Sequence, residues 1–172
     1  MYNIDELKQN ANDKELFTKA LQNDGTLLEF ASDELKNDKE IVLEAVSQNG
    51  EALEFASNNL KDDKETVLKA LDQLGWVVCY ASDKLKNDKE VILKAVKQDG
   101  QELYYAGSEL RNDKEIVLEA VKNKGMILKY ASKELRADKD IVITAIKQNK
   151  IAKSYIMPEL LQDKEIIEII EN

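Results

Sequence analysis

The chain has 172 residues, of which 43% are apolar and 34% are charged, and its net charge is −9 at neutral pH. This composition is typical of a folded, helix-rich protein. The acidic balance disfavours a general binder of nucleic acid or of anionic membranes, because such proteins present a basic face. The chain contains no histidine and one cysteine, Cys79, which excludes histidine-dependent catalytic and metal sites as well as an internal disulfide.

Residues 1–12 precede the regular part of the sequence, and the DELK at 5–8 resembles the end of a repeat. We expect an N-terminal cap that contains a helical turn. The opening MYNIDELKQN carries acids and amides where a secretion signal has its apolar core. No apolar run approaches the roughly 20 residues of a membrane span. These features predict a soluble, cytoplasmic protein.

From Asp13 onward one pattern recurs every 25 residues, as the step from Asp13 to Asp38 shows. Each copy opens with Asp, Lys and an acid, and the copies begin at residues 13, 38, 63, 88, 113, 138 and 163. We number them repeats 1 to 7 and count positions from the opening Asp. A fixed short period is the signature of stacked units in which each contacts its neighbours.

The first half of a repeat has the pattern of a helix. Positions four, five, eight and nine are almost always apolar, and these positions share one helix face. The opening Asp is a suitable N-cap, and the acid at position three favours the same end of the helix. We interpret the glycine at position thirteen of five repeats as a left-handed residue that ends the helix. The predicted first helix therefore spans about eleven residues.

A second apolar segment follows the glycine. Position eighteen is always Phe or Tyr, and position twenty is Ser in four repeats and glycine at Gly107. Because Ser is a suitable N-cap, we expect a second helix of about seven residues and then a single turn that carries the Leu of position twenty-three. Burying about six large side chains contributes roughly 9–18 kcal/mol, whereas ordering 25 residues costs about 30 kcal/mol or more. A lone repeat is therefore not expected to fold.

The predicted fold class is all-α: a right-handed-type α-solenoid of six 25-residue two-helix repeats, with a half repeat as its C-terminal cap. We expect a single helical-repeat domain over residues 1–172, with the N-terminal cap at 1–12 and a capping helix at 163–172. Glu168 and Glu171 lie at mostly aliphatic positions of that helix, where polar residues suit a face without a following repeat.

The repeat DKEIVLEAVxxxGxxLxYASxEL closely resembles the bacterial and protist helical repeat family known as domain of unknown function 4116. The resemblance covers about residues 13–172, and it is weakest in the stretch IAKSYIMPELLQ at 151–162. It implies a helical repeat and no established activity. No functional residue is therefore carried over from the family.

Residues that differ between repeats are the ones available to a partner, because the recurring residues have folding roles. Positions fourteen and seventeen lie three residues apart on the second helix and face away from its core side. We hypothesise that Trp76, Cys79, Tyr104 and Met126 form a contact patch, with Lys129 paired to Met126, since Trp and Tyr are frequent interface anchors. The alternative is that Trp76 and Met126 fill grooves between repeats.

Negative charge is concentrated near the start of the chain. Residues 1–62 carry 14 acids and 6 bases. Glu29, Glu44, Glu51 and Glu54 are candidates to contact a basic partner, and a solvated face is the alternative interpretation.

The sequence predicts no metal site, cofactor or catalytic residue. The Asp-Lys-acid triplets lack the acid ladder of a calcium loop, and the glycines do not form a phosphate-binding loop. The leading prediction is therefore a non-catalytic protein–protein interaction module, such as a scaffold, inhibitor or effector, that binds a protein or peptide. The alternative is a structural protein that homodimerises through its apolar row. An enzyme or small-ligand receptor is less favoured, and no nucleic acid or membrane partner is expected.

Overall fold

The computed structural model describes residues 2–171. Helices make up 76% of these residues, which contain no strand, so the predicted all-α repeat fold is confirmed. The chain forms two compact units, Met1–Leu85 and Lys86–Asn172. We call them unit 1 and unit 2. No helix in residues 2–171 has both the length and the apolar character that crossing a membrane requires.

Each repeat begins with an α-helix of eight or ten residues, slightly shorter than predicted. These helices are Lys14–Leu21, Lys39–Gln48, Lys64–Leu71, Lys89–Gln98, Lys114–Asn123, Lys139–Gln148 and Lys164–Glu171. The opening Asp is the N-cap, as predicted: the Asp38 carboxylate accepts from the amides of Glu40 and Ile41 at 3.0 and 3.3 Å. Positions four, five, eight and nine are the buried positions of the Lys39–Gln48 helix.

The second segment of each complete repeat is a six-residue 3₁₀ helix. These segments are Gly25–Phe30, Gly50–Phe55, Gly75–Tyr80, Gly100–Tyr105, Gly125–Tyr130 and Lys150–Tyr155. Short 3₁₀ pieces are common as connectors, because their tighter hydrogen bonding is tolerated over one or two turns. The predicted second helix is therefore present, but it is tighter than an α-helix and begins at position thirteen.

The glycine at position thirteen has a different role from the predicted one. No glycine in residues 2–171 has a positive φ, so the prediction of a left-handed helix end is wrong. A Cβ at Gly50 would lie 2.6 Å from the carbonyl oxygen of Ala70 in the next repeat, and the equivalent carbonyl is closer still at Gly25, Gly100 and Gly125. Glycine is required there because the first helix of the next repeat packs directly on its Cα.

A short turn closes each repeat and binds it to the preceding one. The turns are Asp33–Lys36, Asn58–Lys61, Leu85–Asn87, Leu110–Asn112, Lys133–Arg136 and Pro158–Gln162. Ser57 is an N-cap, as predicted, and its Oγ also donates to Asn37 of the preceding repeat at 2.6 Å. Its backbone amide donates to the Lys36 carbonyl at 2.9 Å. Equivalent bonds join Ser32 to Asn12 and Ser132 to Asn112.

The lysine at position two joins neighbouring repeats, a role that was not predicted from the sequence. In unit 2, Lys114 Nζ lies 2.7 Å from Asp138 and 3.1 Å from Asp140 of the next repeat. The same double ion pair is made by Lys14, Lys39, Lys89 and Lys139. The opening triplet thus caps its own helix and also pairs with the triplet of the neighbouring repeat.

A helix lies near each end of the described range. A helix at Ile4–Gln9 buries Leu7 within the predicted N-terminal cap. The helix Lys164–Glu171 buries Ile166 and exposes Glu168 and Glu171. Residues 1 and 172, the outermost residues of the two predicted caps, lie outside the described range.

Candidate interaction surface

The 3₁₀ segments present the aromatic residues of position eighteen, all of them half-buried. These are Phe30, Phe55 and Tyr80 in unit 1 and Tyr105, Tyr130 and Tyr155 in unit 2. Positions fourteen and seventeen of the same segments are half-buried or exposed in every complete repeat. The hypothesised contact residues therefore lie on the solvent side of these segments.

In unit 1, three of the hypothesised residues are organised around Tyr80. Trp76 is 39% exposed, and its ring meets the edge of Tyr80 with 5.8 Å between centroids. The Tyr80 hydroxyl donates to Glu54 at 2.9 Å. Burial, the hydrogen bond to Glu54 and the nearby charge of Glu51 raise the pKa of Tyr80 to about 12. The hydrogen bond to Glu54 holds the phenol in place, so the ring serves as a fixed support for Trp76.

The other hypothesised residues of unit 1 are less organised. Cys79 is half-buried, Glu29 is exposed and Glu44 is half-buried. Glu29 lies one repeat before Glu54, beside the Phe30 ring, over which the Lys8 ammonium is placed 5.3 Å from the centroid. The two glutamates add negative charge to unit 1.

In unit 2, Tyr104 and Lys129 meet on the Tyr130 ring. Tyr104 is 52% exposed and makes edge contacts with Tyr105 and Tyr130, at centroid distances of 5.1 and 5.2 Å. Such pairs contribute about 0.5–1.5 kcal/mol beyond area burial. Lys129 Nζ lies 4.7 Å from the centroid of Tyr130. Met126 is half-buried and lines a shallow groove of about 330 Å³.

A second groove of unit 2 lies beside Tyr130 and has a volume of about 490 Å³. Its charged lining residues are Arg111, Lys133 and Arg136, and none of the described residues that line it is acidic. We call it the basic groove. This groove was not predicted from the sequence, although Lys or Arg at position twenty-four of five repeats was a visible signal.

The two arginines of the basic groove differ in the hydrogen bonds that their guanidinium groups make. Arg111 donates from Nε to the Ala106 carbonyl and from Nη2 to the Tyr104 carbonyl, both at 2.8 Å. Arg136 occupies the same position one repeat later, yet its buried Nε has no hydrogen-bond partner in residues 2–171. One guanidinium is therefore fixed by the backbone, and the other retains an unpaired donor.

Comparison with protein families identifies the repeats. Residues 13–61, 63–111 and 113–161 each match the family described as Domain of unknown function (DUF4116). The chain belongs to this family. A DUF4116 match spans 49 residues, so the family unit contains a pair of 25-residue repeats and not the single repeat to which the resemblance was first assigned. No curated protein and no solved structure matches the chain.

One residue in the second DUF4116 segment departs from the repeat pattern. Glu102 is at position fifteen, where the other complete repeats have Leu, Ala, Val or Ile, and it is only 5% exposed. Burial is the main cause that raises the pKa of Glu102 to about 7; Asp99 adds to the shift and Lys124 opposes it. Lys124 itself lies 2.6 Å from Asp99. Glu102 was not predicted as a special residue, although it is the only charged residue at position fifteen of the repeats.

Proposed function

We propose that this DUF4116 chain is a non-catalytic interaction module that binds a protein or peptide through an aromatic surface on the 3₁₀ segments of each unit, centred on Trp76 in unit 1 and on Tyr104 in unit 2. The observation that carries the proposal is the exposure of Trp76 and Tyr104, at 39% and 52%. Trp and Tyr are enriched among the residues that dominate binding energy at interfaces. The partner and the cytoplasmic location remain predictions.

The way these rings are held also supports the proposal. Tyr104 rests edge-on against two other rings, and Trp76 rests against Tyr80. A side chain that is already positioned loses less conformational freedom when it binds, and more of its contact energy appears as affinity. The recurring Asp, Lys, Gly and Ser residues, in contrast, are occupied by caps and contacts between repeats.

The test begins with selection of peptides from a display library against the full chain. Affinities of the selected peptides are then measured for Trp76→Ala and Tyr104→Ala, with Lys97→Ala as the control, since Lys97 is exposed on the first helix of repeat 4. We expect Trp76→Ala to weaken peptides that bind unit 1, and Tyr104→Ala to weaken peptides that bind unit 2, by about tenfold or more in each case, with unchanged circular dichroism and no effect of Lys97→Ala. Peptides that bind the double aromatic variant as tightly as the unchanged chain contradict the proposal.

The exposed Trp76 also suits the alternative, a homodimer formed through the apolar residues. Sedimentation equilibrium separates the two functions. A dimer that Trp76→Ala converts to a monomer favours self-association, and a monomer at micromolar concentration favours binding to another protein.

A further inference from the structure

We propose that the basic groove of unit 2 binds an acidic segment of the partner protein, with a side-chain carboxylate held by Lys133 and Arg136. The inference rests on the proposed function and specifies the chemistry of the partner. The groove volume of about 490 Å³ lies within the roughly 300–1,000 Å³ typical of ligand pockets.

The unpaired Nε of Arg136 is the first argument. A buried donor without a partner is unfavourable, so the side chain gains if it turns its guanidinium donors towards an acceptor bound in the groove. In the preceding repeat the backbone carbonyls of Tyr104 and Ala106 satisfy the Arg111 guanidinium, whereas Arg136 Nε is unsatisfied within residues 2–171. A guanidinium has the planar arrangement of donors that matches a carboxylate.

Charge is the second argument. The whole chain carries −9, yet three cations line this groove together with Tyr130 and small residues. The lysines at position two are paired with acids of the next repeat. Within residues 2–171, Lys133 and Arg136 form no such salt bridge. The adjacent Glu134 is turned onto its own backbone amide and the Ser132 hydroxyl, which lower the pKa of its carboxyl. The charge of Lys133 also lowers this pKa, but it is the smallest of the causes, so Glu134 acts mainly on the backbone of the turn.

Continuity with the aromatic surface is the third argument. Tyr130 lines the groove, and the exposed Tyr104 lies 5.2 Å from Tyr130, centroid to centroid. A segment that places a carboxylate in the groove can pack an apolar side chain on Tyr104. The expected partner segment is thus acidic with an apolar residue nearby. Nucleic acid fits less well, because its backbone requires an extended series of phosphate contacts.

The test uses the full chain and a fluorescein-labelled peptide of Asp and Glu residues with one Leu. Its Asn/Gln analogue is the uncharged probe, and binding is followed by fluorescence anisotropy. The altered protein carries Lys133→Gln and Arg136→Gln, and the charge-matched control carries Lys97→Gln and Lys147→Gln, two exposed lysines of unit 2. A melting curve of each variant confirms that it is folded.

We expect the acidic peptide to bind and the amide analogue to bind about tenfold more weakly or not at all. The groove variant should weaken binding of the acidic peptide about tenfold or more, and the control should leave it nearly unchanged. Arg136→Lys, which keeps the charge and loses the planar donors, should bind with intermediate affinity.

Three results overturn the inference: no binding of the acidic peptide, equal binding by the groove variant, or displacement of the peptide by single-stranded oligonucleotide that itself depends on Lys133 and Arg136. The proposed function is judged separately. If display-selected peptides depend on Trp76 and Tyr104 but not on the groove, the module remains supported and the acidic segment is rejected. If no peptide of either kind binds, both are rejected.

Discussion

At the scale of single residues, Glu102 conflicts most with the fold around it. It replaces the aliphatic residue of position fifteen, is buried, and has an Oε2 without a hydrogen-bond partner in residues 2–171. Burial of an ionised carboxylate is unfavourable, so the folded protein favours the protonated form. The nearest charges do not resolve the conflict, because the Lys124 ammonium is already paired with Asp99.

Glu102→Leu should therefore stabilise the protein, and more so at pH 8 than at pH 5. The pKa of Glu102 is raised from 4.5 to about 7 in the folded protein, so the folded state binds the proton more tightly than the unfolded state. The stability contribution of this group is present at low pH and is lost as pH rises through 7. We expect a gain on the order of 2 kcal/mol at pH 8 in urea unfolding.

The matched control for this prediction is Glu109→Leu, which changes an exposed carboxylate in the same repeat. It should give no pH-dependent gain. A gain from Glu102→Leu that is equal at both pH values would show that packing, and not ionisation, is responsible.

The recurring glycine shows what could not be read from the sequence at this scale. The sequence shows that glycine recurs every 25 residues, but it does not show why glycine is needed there. The carbonyl that excludes a side chain at Gly100 belongs to Ala120, 20 residues later. A left-handed helix end explains the same pattern from local information alone. A left-handed helix end and a close contact with the next repeat can be distinguished only when the packing of one repeat on the next is known.

Gly100→Asn tests that distinction. Asn tolerates a left-handed conformation but adds a Cβ, which would collide with the Ala120 carbonyl. We expect Gly100→Asn and Gly100→Ala to destabilise the protein similarly, by about 1–3 kcal/mol. A markedly milder effect of Asn in chemical denaturation would restore the left-handed interpretation.

At the scale of helices, the opening triplet combines two roles. Helix capping was predictable because it is local: Asp precedes an apolar helical period. The lysine bridge was not, because each lysine reaches acids 24 and 26 residues later, as Lys114 reaches Asp138 and Asp140. The 3₁₀ form of the second segment was likewise beyond sequence reasoning, because six residues are too few to show a helical period.

Substitutions at Asp138 separate capping from ion pairing. Asp138→Ala removes both and should lower the free energy of unfolding by about 1–2 kcal/mol. Asp138→Asn keeps a good capping side chain and loses only the charge, so its effect should be smaller. Melting curves at low and high salt complete the test, since the part due to Lys114 should shrink with salt. Equal losses for Ala and Asn at both salt concentrations would contradict the capping role.

The sequence was sufficient to predict the aromatic residues of the candidate surface but not the basic groove. Trp76 and Tyr104 stand out by type at positions fourteen and seventeen, and the structure places both on the solvent side. The basic groove did not stand out, because Lys or Arg at position twenty-four recurs and recurrence suggests a folding role. Only the structure shows that Arg111 has backbone partners and that Arg136 Nε lacks one in residues 2–171.

At the scale of the whole chain, repeats depend on their neighbours. The glycine contact, the serine bonds and the lysine bridges all join one repeat to the next. A peptide of residues 88–112 alone should therefore be unfolded by circular dichroism under conditions in which the full chain is helical. A monomeric, cooperatively melting peptide would contradict this prediction.

The aspartates that pair with lysines of the preceding repeat should also determine the acid limit of the fold, which is the pH below which the protein unfolds. The hydrogen bond from Lys14 is the main cause that holds the pKa of Asp38 below its usual 3.8, and Lys139 does the same for Asp163. A carboxyl whose pKa is depressed in the folded state contributes stability above pH 3.8 and loses it as pH falls through the folded value. This dependence is opposite in sign to that of Glu102, so stability should be greatest between these two limits.

Removing the lysines should move the acid limit towards neutral pH. In the variant Lys14→Gln with Lys139→Gln, Asp38 and Asp163 lose the partners that favour their ionised forms, so protonation occurs at higher pH. Unfolding followed by circular dichroism during acid titration should therefore have a higher midpoint than in the unchanged chain. Lys97→Gln with Lys147→Gln removes the same net charge from exposed positions and should shift the midpoint less. Equal shifts in the two variants would show that overall charge, and not the bridges between repeats, determines the acid limit.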